Sequence, residues 1–182
     1  GRALAEIIFG EVNPSGKLPI TIPYSVGHMQ AIYNHKPSAL VRKYVDAPTQ
    51  NLYEFGAGLS YTEFEYGQVS LSPSTISQDK STKVSFTVTN TGARAGDEVV
   101  QLYIRDDYSR VTRPVKELKG FKRVSLAPGE KRKVYFDITP EMLGYYGIGM
   151  KWQVDAGTFS IMVGGSSRRS DLQLSKLRLT PN

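Results

Sequence analysis

Between Lys83 and Thr89 the chain alternates polar and apolar residues without a break, and a period of two is the signature of a half-buried β-strand. Val84, Phe86 and Val88 then share one face, and each contributes roughly 1.5–3 kcal/mol on burial before entropy is subtracted. Asn90-Thr91-Gly92 closes that strand with turn chemistry. The pattern returns from Glu98 to Arg105, with Val100, Leu102 and Ile104 on one side. Glu117 to Val124 supplies a third strand, with Leu118 facing inward and Gly120 at a bulge or close approach. Ala127-Pro128-Gly129-Glu130 is a tight turn into Lys133 to Ile138, where Val134, Phe136 and Ile138 alternate.

Further on, Thr139 before Pro140 predicts one capped helical turn ending at Leu143. Lys151 to Asp155 and Thr158 to Gly164 read as a hairpin across Ala156-Gly157, with Trp152 and Val154 opposite Phe159, Ile161 and Val163. Trp152 is read as core, its rival reading being an exposed sugar-stacking ring. A last strand covers Leu172 to Leu179, and a lead-in strand lies near Gln68 to Leu71. Seven or eight short strands with turns every 8–12 residues predict a mainly β fold, an immunoglobulin-like or fibronectin type III-like β-sandwich over residues 66–182.

Residues 1–65 differ in kind. Ala3, Leu4, Ile7 and Ile8 recur at helical spacing within Arg2 to Phe9 and suit burial on one face. Asn13-Pro14-Ser15-Gly16 ends that helix. Leu18 to Pro23 reads as a short strand between prolines, at a sheet edge. From Tyr24 to Asn51 no period of either kind is found, and a loop this long is usually functional or lies against another unit. Gly56-Ala57-Gly58 then stands among Tyr53, Phe55 and Tyr61. Paired glycines accept φ > 0 and allow close backbone approach, so this is a buried turn where two packed units cross.

Chemistry is harder to find. With no cysteine, disulfide scaffolds, thiol nucleophiles and zinc-thiolate sites are excluded. His28 and His35 make no metal motif, and Gly-x-Ser-x-Gly is absent. Asp97-Glu98 and Asp106-Asp107 sit at strand ends, where exposure is the default; the second pair is only a partial calcium ligand set. Asp46 and Glu54 read as salt-bridge partners, and Gly164 to Arg169 as a hairpin loop rather than a phosphate site. The formal charge of +6 concentrates between Arg105 and Lys133. That stretch reads as solvated strand faces discouraging edge pairing, with a nucleic-acid or acidic-polymer surface as the rival. No apolar run reaches the roughly 18 residues of a membrane span. A start at Gly1-Arg2-Ala3-Leu4, without Met, reads as a piece of a longer protein.

Six ordered motifs now carry a resemblance. Phe9 to Pro19 (FGEVNPSGKLP), Tyr33 to Ser38 (YNHKPS) and Tyr53 to Thr62 (YEFGAGLSYT) resemble the end of the second domain of family 3 glycoside hydrolases, a loop of its bacterial β-glucosidases, and the junction with its third domain. Val88 to Gly92, Arg113 to Phe121 and Leu126 to Glu130 resemble that family's fibronectin type III-like third domain. The nearest type is the three-domain periplasmic β-glucosidase. The resemblance implies that residues 1–65 are the C-terminal remnant of an α/β sandwich domain. It also implies a parent enzyme hydrolysing terminal non-reducing β-D-glycosyl residues with retention. In such a parent an aspartate nucleophile lies on an N-terminal (β/α)8 barrel and a glutamate acid/base in the second domain.

Neither group can be placed in this chain, so the piece alone is expected to be inactive, with no catalytic residue, metal or cofactor. Its implied partners are the barrel and α/β domains of the same protein and an oligosaccharide or β-glucoside substrate, with no nucleic acid and no membrane. Its implied location is periplasmic or secreted. Tyr33, His35, Lys36 and Arg42 are the candidates for an active-site rim, an aromatic and hydrogen-bonding groups suiting a sugar. The family often has Gly-Arg directly after the Pro-Ser of this loop, whereas Ala39, Leu40 and Val41 intervene before Arg42 here. The rival to all of this is a stand-alone carbohydrate- or protein-binding β-sandwich module.

Overall fold

The computed structural model describes residues 1–28, 31–37 and 48–181. Its strands are Phe64–Tyr66 (β1), Ser70–Ser72 (β2), Thr75–Ser77 (β3), Thr82–Asn90 (β4), Gly96–Asp106 (β5), Glu117–Leu126 (β6), Lys131–Ile138 (β7), Tyr145–Tyr146 (β8), Trp152–Gln153 (β9), Gly157–Gly164 (β10) and Leu172–Thr180 (β11). Helix α1 spans Arg2–Ile8 and the short α2 Pro140–Leu143.

The perfectly alternating segment is β4, the middle of the first sheet. β7 runs antiparallel along one edge over Thr82–Thr89, while β1 and β2 pair in succession along the other. The second sheet has the order β3-β11-β10-β5-β6, antiparallel except for β3 on β11. Val84, Phe86 and Val88 from one sheet meet Val100, Leu102 and Ile104 from the other, with Phe159, Ile161 and Leu177 closing the layer. The Phe86 ring stacks between Tyr66 and Phe136, both centroids 6.2 Å away. This is the two-sheet sandwich expected from the pattern.

Local chemistry explains the turns. Gly129 has φ +72° in the β6–β7 turn, and the Glu130 amide donates to the Ala127 carbonyl at 3.0 Å. The register of β5 on β6 shifts between Leu102, which faces Gly120, and Tyr103, which faces Leu118, so Lys119 is the extra residue of a bulge. A side chain on Gly120 would meet the Phe136 ring at 3.3 Å, the close approach foreseen there. The same bulge overturns one expectation: Leu118 opposes Tyr103, on the face away from Val100, Leu102 and Ile104, and is only half-buried.

Three other expectations are corrected. The hairpin between residues 151 and 164 does not form, because β10 is flanked on both edges by β5 and β11. β9 pairs back on β8 instead. Trp152 is therefore not core: it is 49% exposed, edge-on to Tyr146 at 5.3 Å. Leu18 to Pro23 forms no strand, only the bridge of Ile22 with Tyr53, since Pro19 and Pro23 lack the N–H a ladder needs. Helix α1 forms where expected, yet Leu4, Ile8 and Phe9 stay exposed.

Candidate functional site

The opening segment crosses the sandwich at Gly56-Ala57-Gly58, and both glycines are required there. Gly56 sits at φ +78°, and a Cβ would fall 2.1 Å from Gln101 Oε1. A Cβ on Gly58 would lie 2.4 Å from the Gly16 carbonyl oxygen. The Gln101 amide donates to the carbonyls of Gly56 at 3.1 Å and Gly165 at 2.7 Å, while the Ser167 amide donates to the Phe55 carbonyl at 2.9 Å.

An ion pair fastens the crossing. Lys17 Nζ lies 3.1 Å from Glu98 Oε2, and Tyr66 donates its hydroxyl to Glu98 Oε1 at 2.7 Å. The Glu98 side chain is 7% exposed, which corrects its reading as a solvated strand-end acid. Burial first, and the Glu98 charge second, push the Tyr66 phenol far above its ordinary value, so Tyr66 stays a donor. Lys116 donates to the Ser167 carbonyl; burial pulls its ammonium below its usual value, against the opposing attraction of Glu54. Glu54 itself accepts from Asn51 Nδ2 at 3.0 and 3.1 Å.

The rim candidates lie beside this seam. Tyr33 stacks on Phe55 with centroids 4.1 Å apart and planes 17° from parallel, and meets Tyr103 edge-on at 6.0 Å. Its hydroxyl accepts from the Leu118 amide at 3.3 Å, and the His35 carbonyl accepts from the Val115 amide at 3.0 Å. Tyr33 is thus turned onto the sandwich. His35 lies half-buried, its Nδ1–H donating to the Lys36 carbonyl at 2.9 Å, which leaves Nε2 for another partner. Lys36 is exposed. Arg42 and Asp46 lie outside the described residues.

Sequence reasoning missed Gln101 and Tyr103, which hold the crossing and the loop. Their signal was present: Val99 to Ile104 is apolar on both faces except at Gln101, the mark of a strand covered on both sides. His28 is buried, its ring nitrogens 2.8 Å from Ser25 Oγ and the Pro48 carbonyl oxygen. Among the described residues no group of three or more His, Asp or Glu is placed to hold a metal ion. Asp106, Asp107 and Asp155 border a cleft of about 700 Å³ on the sandwich. Each is engaged: Asp106 with Arg113 at 3.3 Å, Asp107 with Lys176 at 2.6 Å, and Asp155 with the Tyr145 hydroxyl at 2.5 Å. Asp106 is buried, contrary to its expected exposure.

What the fold and the seam define is a fibronectin type III-like sandwich on which the end of another domain is laced. The glycosyl hydrolase family 3 C-terminal domain is matched over residues 1–61 and the fibronectin type III-like domain over residues 98–167. The chain belongs to glycoside hydrolase family 3, corresponding to that family's C-terminal region. It is 46% identical, over 96% of its length, to a putative β-xylosidase of Formosa agariphila, and 41% identical over 93% to a periplasmic β-glucosidase of Salmonella typhimurium. It spans 24% and 23% of those two relatives, about a quarter of each. Among solved structures, a β-glucosidase of Erythrobacter marinus superposes with a TM-score of 0.93 at 45% identity, over 98% of this chain and 23% of that one. A β-glucosidase of Listeria innocua bound to glucose gives 0.91 at 34%, over 98% and 26%.

Proposed function

We propose that this chain is the non-catalytic C-terminal portion of a retaining β-glycosidase, a β-glucosidase acting on terminal non-reducing β-D-glycosyl residues. Residues 1–65 end its α/β domain and residues 66–182 form a brace. The observation that carries this reading is the seam itself. The opening segment buries no hydrophobic side chain among its described residues, yet is pinned to the sandwich by the Lys17–Glu98–Tyr66 cluster and the Gly56 crossing. Its exposed Leu4, Ile8 and Phe9 suit cover by the remainder of the same polypeptide, the barrel and α/β domains.

Within the rim loop, Tyr33 is the positioning residue, and His35 and Lys36 are the groups left to face a sugar, with Arg42 following them in the chain. Much of the basic stretch is neutralised, Arg113 by Asp106 and Glu117, Arg123 by Asp97 and Arg132 by Glu130, which supports no nucleic-acid partner. No described helix is long and apolar enough to cross a membrane. A periplasmic or secreted location follows the Salmonella relative's name.

The test is hydrolysis of aryl β-D-glucoside and aryl β-D-xyloside by the full-length protein and by this chain alone. The full-length protein cleaves the glucoside faster and the chain cleaves neither; turnover by the chain alone, or none by the full-length protein, overturns the reading. In the full-length protein Lys36→Ala raises KM several-fold with kcat little changed, the loss of about 1 kcal/mol of hydrogen bonding.

A further inference from the structure

The cleft on the sandwich, whose described lining meets the opening region at Pro37, is unused by the reading above. Its volume of about 700 Å³ falls in the class of ligand sites. The floor is rigid. Arg113, whose side chain is 9% exposed, reaches Asp106 Oδ2 at 3.3 Å, the Leu143 carbonyl at 2.9 Å and Glu117 at 2.9 Å, over the Tyr145 ring at 5.2 Å. Asp106 also accepts from the Tyr108 amide at 3.2 Å. Asp107 is held by Ser160 and Lys176.

The lip is the opposite. Tyr108 is 86% exposed, and the Arg110 side chain, 3.7 Å from Asp155, is 79% exposed. The cleft thus sets an exposed aromatic face beside fixed polar groups, the combination that ligand pockets use.

The charges select the ligand. The lining carries three guanidinium groups (Arg105, Arg110, Arg113) and three carboxylates (Asp106, Asp107, Asp155), so it balances at zero. An anion would meet three acids and a cation three arginines. A neutral molecule rich in hydroxyls meets neither penalty, because guanidinium forks donate to adjacent oxygens while carboxylates accept from hydroxyls. Tyr108, with Pro37 and Pro114 on the wall, supplies apolar faces for sugar-ring C–H groups.

We infer that this cleft binds a segment of a neutral β-linked glycan, with Tyr108 as stacking platform and Arg110 as hydroxyl-binding arm. Only the choice of a β-linked probe rests on the proposed glycosidase reading. A glycan held there adds a second point of attachment, which raises the effective concentration of polymeric substrate for the remainder of the protein.

The test is calorimetric titration of the 182-residue chain with cellotetraose and xylotetraose, with backbone amide NMR to locate the site. Saturable binding of one of them is expected, with shifts centred on residues 105–114 and affinity falling about ten-fold in Tyr108→Ala and five-fold in Arg110→Gln. Both residues are exposed, so both variants keep the parental melting temperature. Binding of neither sugar, shifts confined to residues 33–36, or undiminished affinity in both variants overturns the inference. The outcome is independent of turnover: a protein that cleaves glucosides while its cleft stays empty loses only this inference, and a cleft that fills in an inactive protein removes only the proposed function.

Discussion

The two regions of this molecule handle apolar surface in opposite ways. Among the described residues every buried hydrophobic side chain lies at or beyond Val69, whereas Leu4, Ile8, Phe9, Ile20, Val26 and Leu59 of the opening region are exposed. The sandwich is held by its own core. The opening region is held by polar fastenings and by the Tyr33–Phe55–Tyr103 ring contacts, while Leu4, Ile8 and Phe9 stay exposed. A segment built this way is stabilised by what it touches, so its order depends on the sandwich and on whatever covers α1.

That contrast can be broken from either side. The largest effect belongs to the core: Phe86→Ala removes a ring stacked between Tyr66 and Phe136 and costs about 3–5 kcal/mol, read as a lower denaturant midpoint for the entire chain. Next is the fastening. Lys17→Met leaves Glu98 buried without its cation and costs about 3 kcal/mol, and the loss falls on the seam. Amide exchange then rises at Gly56 and Leu18, whose N–H groups donate within the crossing, while β4 keeps its protection. Equal loosening of β4 would show that the two regions unfold as one.

The smallest effect is at the contact between them. Tyr103→Phe removes the 2.5 Å hydrogen bond to Gln101 and costs about 1 kcal/mol at neutral pH. Burial first, and Tyr33 second, lift the Tyr103 phenol above its ordinary value of 10.0. Below that value folded and unfolded chains both keep the proton. Above it only the unfolded chain releases it, so stability is lost as pH rises. Melts between pH 9 and 11 should therefore show a shallower alkaline decline in Tyr103→Phe than in the parent, and parallel declines would contradict the assignment.

Legibility in the sequence followed period and composition. β4 could be read because unbroken alternation over seven residues admits one regular structure, β5 and β7 because apolar residues recur at every second position, and the β6–β7 turn because Pro128-Gly129 carries its own backbone preferences. The pairing of β9 could not, since two-residue strands have no period and the occupied edges of β10 are a fact of distant sequence. Trp152 was misplaced for that reason. At the candidate site the loop was legible, but not the direction of Tyr33, which Phe55 and Tyr103 determine.

By itself the sequence determined a β-sandwich after a short helix and a glycine crossing, because side-chain period and glycine's tolerance of φ > 0 are local properties of the chain. Tertiary structure alone decided that Glu98 would be a buried clamp, that Leu118 would leave the core and that Tyr108 would stand over a charge-balanced cleft. Those outcomes depend on partners such as Lys17, the Lys119 bulge and Asp155, brought together by folding across spans no local pattern encodes.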